Sequence, residues 1–228
     1  MKTLLLFVLL FCTQPALADF AKGLDAYQKG DYATAMKELK PLAEQGDASA
    51  QFLLGWMYQF GEGVTQDDKT ALKYYTLAAD QGDAFAQFNL GNMYSNGKGV
   101  TQDYKTAVKF YTLAAEQGVA KAQYNLGLMY KNGQGVTQDY KTAVKYYTLA
   151  AEQGDAIAQY NLGNMYVNGK GVIQNFARAH MWWNIAASKG NKTGLENRDK
   201  VAKNMTASQI EKAQTLASEC VAKGYKGC

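Results

Sequence analysis

Residues 90–118 read LGNMYSNGKGVTQDYKTAVKFYTLAAEQG and residues 126–154 read LGLMYKNGQGVTQDYKTAVKYYTLAAEQG, so one text recurs after 36 residues. A chain that repeats at so short a period presents the same apolar face in every unit, and each unit must bury that face against its neighbours. The columns hold through four copies: Gly55, Gly91, Gly127 and Gly163; Tyr58, Tyr94, Tyr130 and Tyr166; and alanine pairs that begin at Ala78, Ala114, Ala150 and Ala186. A solenoid of small units follows from this.

Each unit reads as two helices. In the second full copy Asp83 stands at an N-cap position, and Ala86, Leu90, Met93 and Tyr94 recur at helical spacing. Asn96-Gly97 stops that helix, and Asp103 opens the next, where a carboxylate favours the positive end of the helix dipole. Ala107, Phe110, Tyr111, Ala114 and Ala115 supply the buried face of the second helix, and Gln117-Gly118 ends it. Glycine inside a helix costs about 1 kcal/mol against alanine, so the Gly91 column needs a reason. The expected reason is close approach of the partner helix at Tyr74, Phe110, Tyr146 and Trp182.

These motifs resemble the Sel-one-like repeat family, relatives of the tetratricopeptide repeat. The resemblance rests on AxxxLGxxYxxGxGVxxDxxKAxxxYxxAAxxG, which recurs from Ala50, Ala86, Ala122 and Ala158; in the last copy Asn175 and Arg178 depart from it. It implies an all-α, right-handed superhelical solenoid of helix-turn-helix repeats whose usual work is binding other proteins. The expected organisation is a leader over residues 1–18, a shortened first unit over 19–46, repeats over 47–82, 83–118, 119–154 and 155–191, and a helical cap over 192–228. In the cap, Thr206-Ala207-Ser208-Gln209 makes a capping box that opens a helix ending near Lys223-Gly224.

The leader reads MKTLLLFVLLFCTQPALA: one lysine, an apolar run and an A-L-A site, the order of a secretory signal peptide cleaved after Ala18. Lipid attachment at Cys12 is disfavoured by the bulky Phe11 before it. No other long apolar run occurs, so the expected mature protein is periplasmic or secreted, with no integral membrane segment. Cleavage removes Lys2 and lowers the formal charge from +4 to +3, spread along the repeats, which gives no basis for binding nucleic acid. It also removes Cys12, and the remaining pair, Cys220 and Cys228, is expected to form one disulfide in an oxidising compartment.

The chemistry-bearing residues do not assemble into a catalytic set. The one histidine, His180, falls in the inward column of Leu72, Val108 and Val144, and the cysteines lie together at the C-terminal end, so no metal or nucleophile constellation forms. No metal or cofactor is expected. Ser95-Asn96-Gly97-Lys98 spells S-x-x-K without its partner motifs, the Gly-x-Gly loops follow helices rather than strands, and the Asp67, Asp103 and Asp139 column is explained by capping.

One column varies informatively. By resemblance to related solenoids, first helices line the concave surface, where Asn89 and Asn92, Asn125, and Asn161 and Asn164 form a ladder of amides. Towards the N-terminus the same positions carry Leu53, Trp56 and Phe60. Asparagine offers a donor and an acceptor to an extended peptide backbone, and aromatic residues offer anchoring surface. The expected function is a non-enzymatic, monomeric scaffold of the envelope or secreted space that holds a protein or peptide: a regulator, an immunity protein or a host-interaction factor. The competing expectation is a cell-wall or β-lactam hydrolase of the cysteine-rich repeat type, whose paired cysteines this chain lacks.

Overall fold

The computed structural model describes residues 14–228, with side chains described from Phe20 onward. The expected leader up to position 13, Cys12 included, lies outside the described residues. Among the described residues the regular elements are twelve α-helices, as the 3.6-residue patterning requires. They fall into two compact units, one ending at Ala86 and one spanning Gln87–Cys228.

In the first unit α1 (Gln14–Gln28) packs on α2 (Tyr32–Glu44), α2 on α3 (Ala48–Phe60), and α3 on α4 (Asp68–Asp80). Leu39, Leu42, Leu54 and Met57 form its core. The division falls within α5 (Ala84–Asn96). The second unit continues with α6 (Tyr104–Glu116), α7 (Ala120–Asn132), α8 (Tyr140–Glu152), α9 (Ala156–Asn168) and α10 (Phe176–Ser188). From α6 onward each of these packs on its successor, and α10 also receives α11 (Lys192–Ala202) and α12 (Ala207–Ala222).

The helix boundaries follow from local chemistry. Asp139 accepts from the backbone N–H groups of Lys141 at 2.9 Å and Thr142 at 3.2 Å, and from the Thr142 hydroxyl at 2.6 Å. Asp67 and Asp103 make the same contacts. First helices of repeats end on a left-handed glycine, as at Gly133 (φ 69°), whose N–H donates to the Met129 carbonyl. Thr206 and Gln209 form the expected capping box of α12.

The glycine column makes room for the partner helix, but at a different residue from the one expected. A Cβ on Gly127 would lie 2.7 Å from Cδ1 of Tyr147, and the equivalents of Tyr147 are Tyr75, Tyr111 and Trp183. The expected Tyr74, Phe110 and Tyr146 instead stack on the Tyr58, Tyr94 and Tyr130 column, with centroids 5.7, 5.8 and 5.9 Å apart. Trp182, the fourth expected partner, is 1% exposed in the core beneath α12.

Cys220 and Cys228 are joined, with Cα atoms 5.5 Å apart. The tail so held reaches beyond α12. The Gly227 N–H donates to Glu152 at 2.9 Å, Arg178 donates to the Cys228 carbonyl oxygen at 2.8 Å, and Lys189 lies 4.1 Å from the centre of the Tyr225 ring. Closing a loop this short contributes about 2.5 kcal/mol in the chain-entropy model. Cys220→Ser/Cys228→Ser is therefore expected to raise amide exchange in α12 while leaving α6 and α7 near wild-type protection, because repeat units communicate mainly with neighbours. Uniform loss of protection through the second unit would contradict this.

Candidate functional site

The structure separates the predicted face residues by depth. Leu53 is 6% exposed and belongs to the core of the first unit, so it is withdrawn as a contact residue. Trp56 is half-buried, within hydrogen-bonding reach of the Tyr27 hydroxyl, and its ring lies 4.4 Å from that of Phe60, which is 53% exposed. In the second unit Asn89 and Asn161 are buried, and the Asn161 amide is spent on the Ile157 carbonyl at 3.0 Å. Asn92, Asn125 and Asn164 are half-buried and reach the surface.

Asn92 and Asn125 belong to one depression of about 310 Å³ together with Ser95, Asn96 and Tyr111. The Tyr111 hydroxyl donates to Asn92 at 2.8 Å, and Asn125 donates to the same oxygen at 3.2 Å. Burial pushes Tyr111 up to about 12, so it stays a neutral donor. Part of the ladder is thus structural: its amides satisfy a buried hydroxyl that would otherwise cost free energy. The next copy tests this. Leu128 occupies the Asn92 position there, and the Tyr147 hydroxyl is buried without a partner among the described residues. Leu128→Asn is expected to raise stability by about 1 kcal/mol, read as the denaturation midpoint. A fall in the midpoint would show that Leu128 contributes more by packing.

A second depression, of about 370 Å³, opens between α9, α10 and α11. Its floor is Trp183, whose indole N–H is tied to the Tyr160 carbonyl at 3.1 Å, and Val201; Phe176 stands at its edge, 38% exposed. Asn164 enters from α9, and Asn197, Lys200 and Asn204 enter from α11 and the turn after it. The ladder read from the sequence ends within the last repeat and omits these three. Their signal is the repeat itself, since Asn197, Lys200 and Asn204 stand 36 residues after Asn161, Asn164 and Asn168. The N-cap Asn191 likewise falls 36 residues after the N-cap Asp155, so α11 is the first helix of a degenerate fifth unit.

The titratable groups near the repeat loops have structural partners. The Asp67, Asp103 and Asp139 carboxyls are held below the usual range by their threonine partners, as caps. Among the described residues no three His, Cys, Asp or Glu side chains converge to hold a metal. His180 is 4% exposed, and its Nδ1 has no partner among the described residues. Burial lowers its pKa, the Arg198 charge adds to this, and Asp199 opposes it. The unfolded chain therefore binds a proton at His180 more readily than the folded one. Stability is expected to fall as pH drops below the ordinary histidine value of about 6.5, and His180→Gln is expected to flatten that fall. Equal pH profiles for the two proteins would contradict it.

The Sel1 repeat family model matches residues 48–83, 84–119, 120–155 and 156–191. A Sel1 repeat protein from Oxalobacter formigenes is 34% identical, with TM-score 0.72, covering 88% of this chain and 75% of that one. A protective antigen of uropathogenic Escherichia coli with the SLR fold is 28% identical, with TM-score 0.58, over 92% of this chain and 55% of that one. An immunity protein from Pseudomonas aeruginosa shares the fold at 20% identity and TM-score 0.51, over 89% of this chain and 83% of that one. No curated protein matches. Among the described residues no helix is long and apolar enough to cross a membrane.

Proposed function

Because this chain belongs to the Sel1 repeat family, we propose that it is an exported, non-enzymatic scaffold that holds a protein or peptide partner along the face formed by its first helices. Sel1 repeat proteins act as protein-interaction scaffolds, and the fold is generally non-enzymatic. The observation that carries the reading is the pair of open, carboxamide-lined depressions at the Asn92–Asn125 and Asn164–Lys200 positions, in the register of the repeat. Carboxamides there present donors and acceptors to a passing backbone, and Phe176 offers apolar surface beside those of the second depression; in the first unit the exposed Phe60 offers apolar surface on α3. The leader motif supports export to the periplasm or beyond. An immunity protein among the structural neighbours keeps the capture of a toxic partner in view as one form of this role, with regulation of an envelope pathway as another.

Affinity capture from envelope extracts tests the reading. Wild-type protein is expected to retain a discrete partner that Phe60→Ala/Asn164→Ala retains at least ten times less well, with unchanged helical content. Equal retention by both would remove the face from the account.

A further inference from the structure

We propose that α11 completes the binding face with an anion subsite, and that the segment seated there is an extended peptide carrying an acidic side chain next to an apolar one. The inference rests on the scaffold reading above and names what one end of the face selects.

The register of the repeat places Lys200 where Trp56, Asn92, Leu128 and Asn164 stand in the preceding units. It is the one charged side chain lining the depression between α9, α10 and α11, among the described residues. Of the two acids on α11, Asp199 is engaged by Arg198 at 2.7 and 2.9 Å, and Glu196, one turn before Lys200, makes no ion pair with it among the described residues; neither lines the depression. No hydrogen bond or ion pair among the described residues occupies the Lys200 ammonium, or the side-chain amides of Asn164 and Asn204. By contrast, Asn168 spends its amide donor on the Asn164 carbonyl at 2.8 Å, and Trp183 spends its indole N–H on Tyr160. The free polar groups thus comprise one ammonium and two carboxamides, above an apolar floor of Trp183 and Val201 with Phe176 at the rim.

That combination discriminates. A carboxylate gains a charge-assisted hydrogen bond from Lys200 and neutral donors from the amides, whereas a cation meets an uncompensated like charge. The apolar floor adds surface for a neighbouring aliphatic or aromatic side chain. α11 lies beyond the last Sel1 repeat, which ends at residue 191, so the charge preference comes from the cap, while Asn164, Phe176 and Trp183 of the last repeat supply the amide and most of the apolar surface.

The test uses the whole protein and a display library of random ten-residue peptides. Wild type is expected to enrich sequences with Asp or Glu beside a Leu, Ile or Phe, and Lys200→Glu to enrich Lys or Arg at the same place. A fluorescent copy of the leading wild-type peptide is expected to bind Lys200→Glu at least ten times more weakly, and Lys200→Gln about five times more weakly. Lys200 is exposed, so circular dichroism is expected to be unchanged. If the peptide loses affinity on Asn125→Ala or Asn164→Ala but binds Lys200→Glu within twofold, the anion subsite is overturned and the scaffold face stands. If wild type selects no peptide, or none of these substitutions weakens the selected ones, both are overturned.

Discussion

Gly127→Val is expected to lower stability by about 3 kcal/mol, the upper end of what overpacking a close-packed core costs. A Cβ at this position would sit 2.7 Å from the Tyr147 ring and 3.2 Å from the Ala143 carbonyl, and Tyr147 is 0% exposed, with no room to swing aside. In a Tyr147→Ala background the same glycine change is expected to cost less than about 1 kcal/mol, because the ring it collides with is gone. Additive costs in this double-mutant cycle would mean that the glycine column does not exist to admit the ring.

The prediction turns on which of two adjacent aromatics meets the glycine, and this is where sequence reasoning misplaced the contact. Each second helix carries such a pair: Tyr74-Tyr75, Phe110-Tyr111, Tyr146-Tyr147 and Trp182-Trp183. Neighbours on a helix point about 100° apart, and period alone does not decide which faces the partner when both are large and apolar. The packing decides it: the second ring fills the glycine space, and the first of each tyrosine or phenylalanine pair stacks on the first-helix tyrosine column. The helix pairs, the capping aspartates, the capping box of α12 and the Cys220–Cys228 bridge were legible because each depends on local spacing. α11 was not read as a unit because Gly194, Arg198 and Asp199 replace the alanine, leucine and glycine of the repeat. Its apolar signature is lost while its face positions keep the register. The ladder was legible as a column but not in depth: Asn89 and Asn161 sink into the helix packing, and Asn92 serves Tyr111. A paired Asn92→Ala/Asn164→Ala variant is expected to lose about 1 kcal/mol through the lost Tyr111–Asn92 hydrogen bond.

The second large effect concerns Trp56. Trp56→Ala is expected to weaken retention of the captured partner by about 2 kcal/mol, roughly thirtyfold, as loss of an aromatic anchor does. It is also expected to lower the melting temperature, because the half-buried indole supports Phe60 and approaches Tyr27. Phe60→Ala separates the two effects: at 53% exposure it is expected to weaken retention with little change in melting. If Trp56→Ala lowers melting and Phe60→Ala leaves retention unchanged, this aromatic pair belongs to the fold alone.

Site-specific photo-cross-linking tests the central claim most directly. A benzophenone amino acid is placed at Asn168, exposed at the end of a first helix, or at Leu149, exposed on a second helix. With the partner bound, the account predicts a cross-linked product from position 168 and little or none from position 149. A product from position 149 with none from position 168 would place the partner on the second helices and contradict the account.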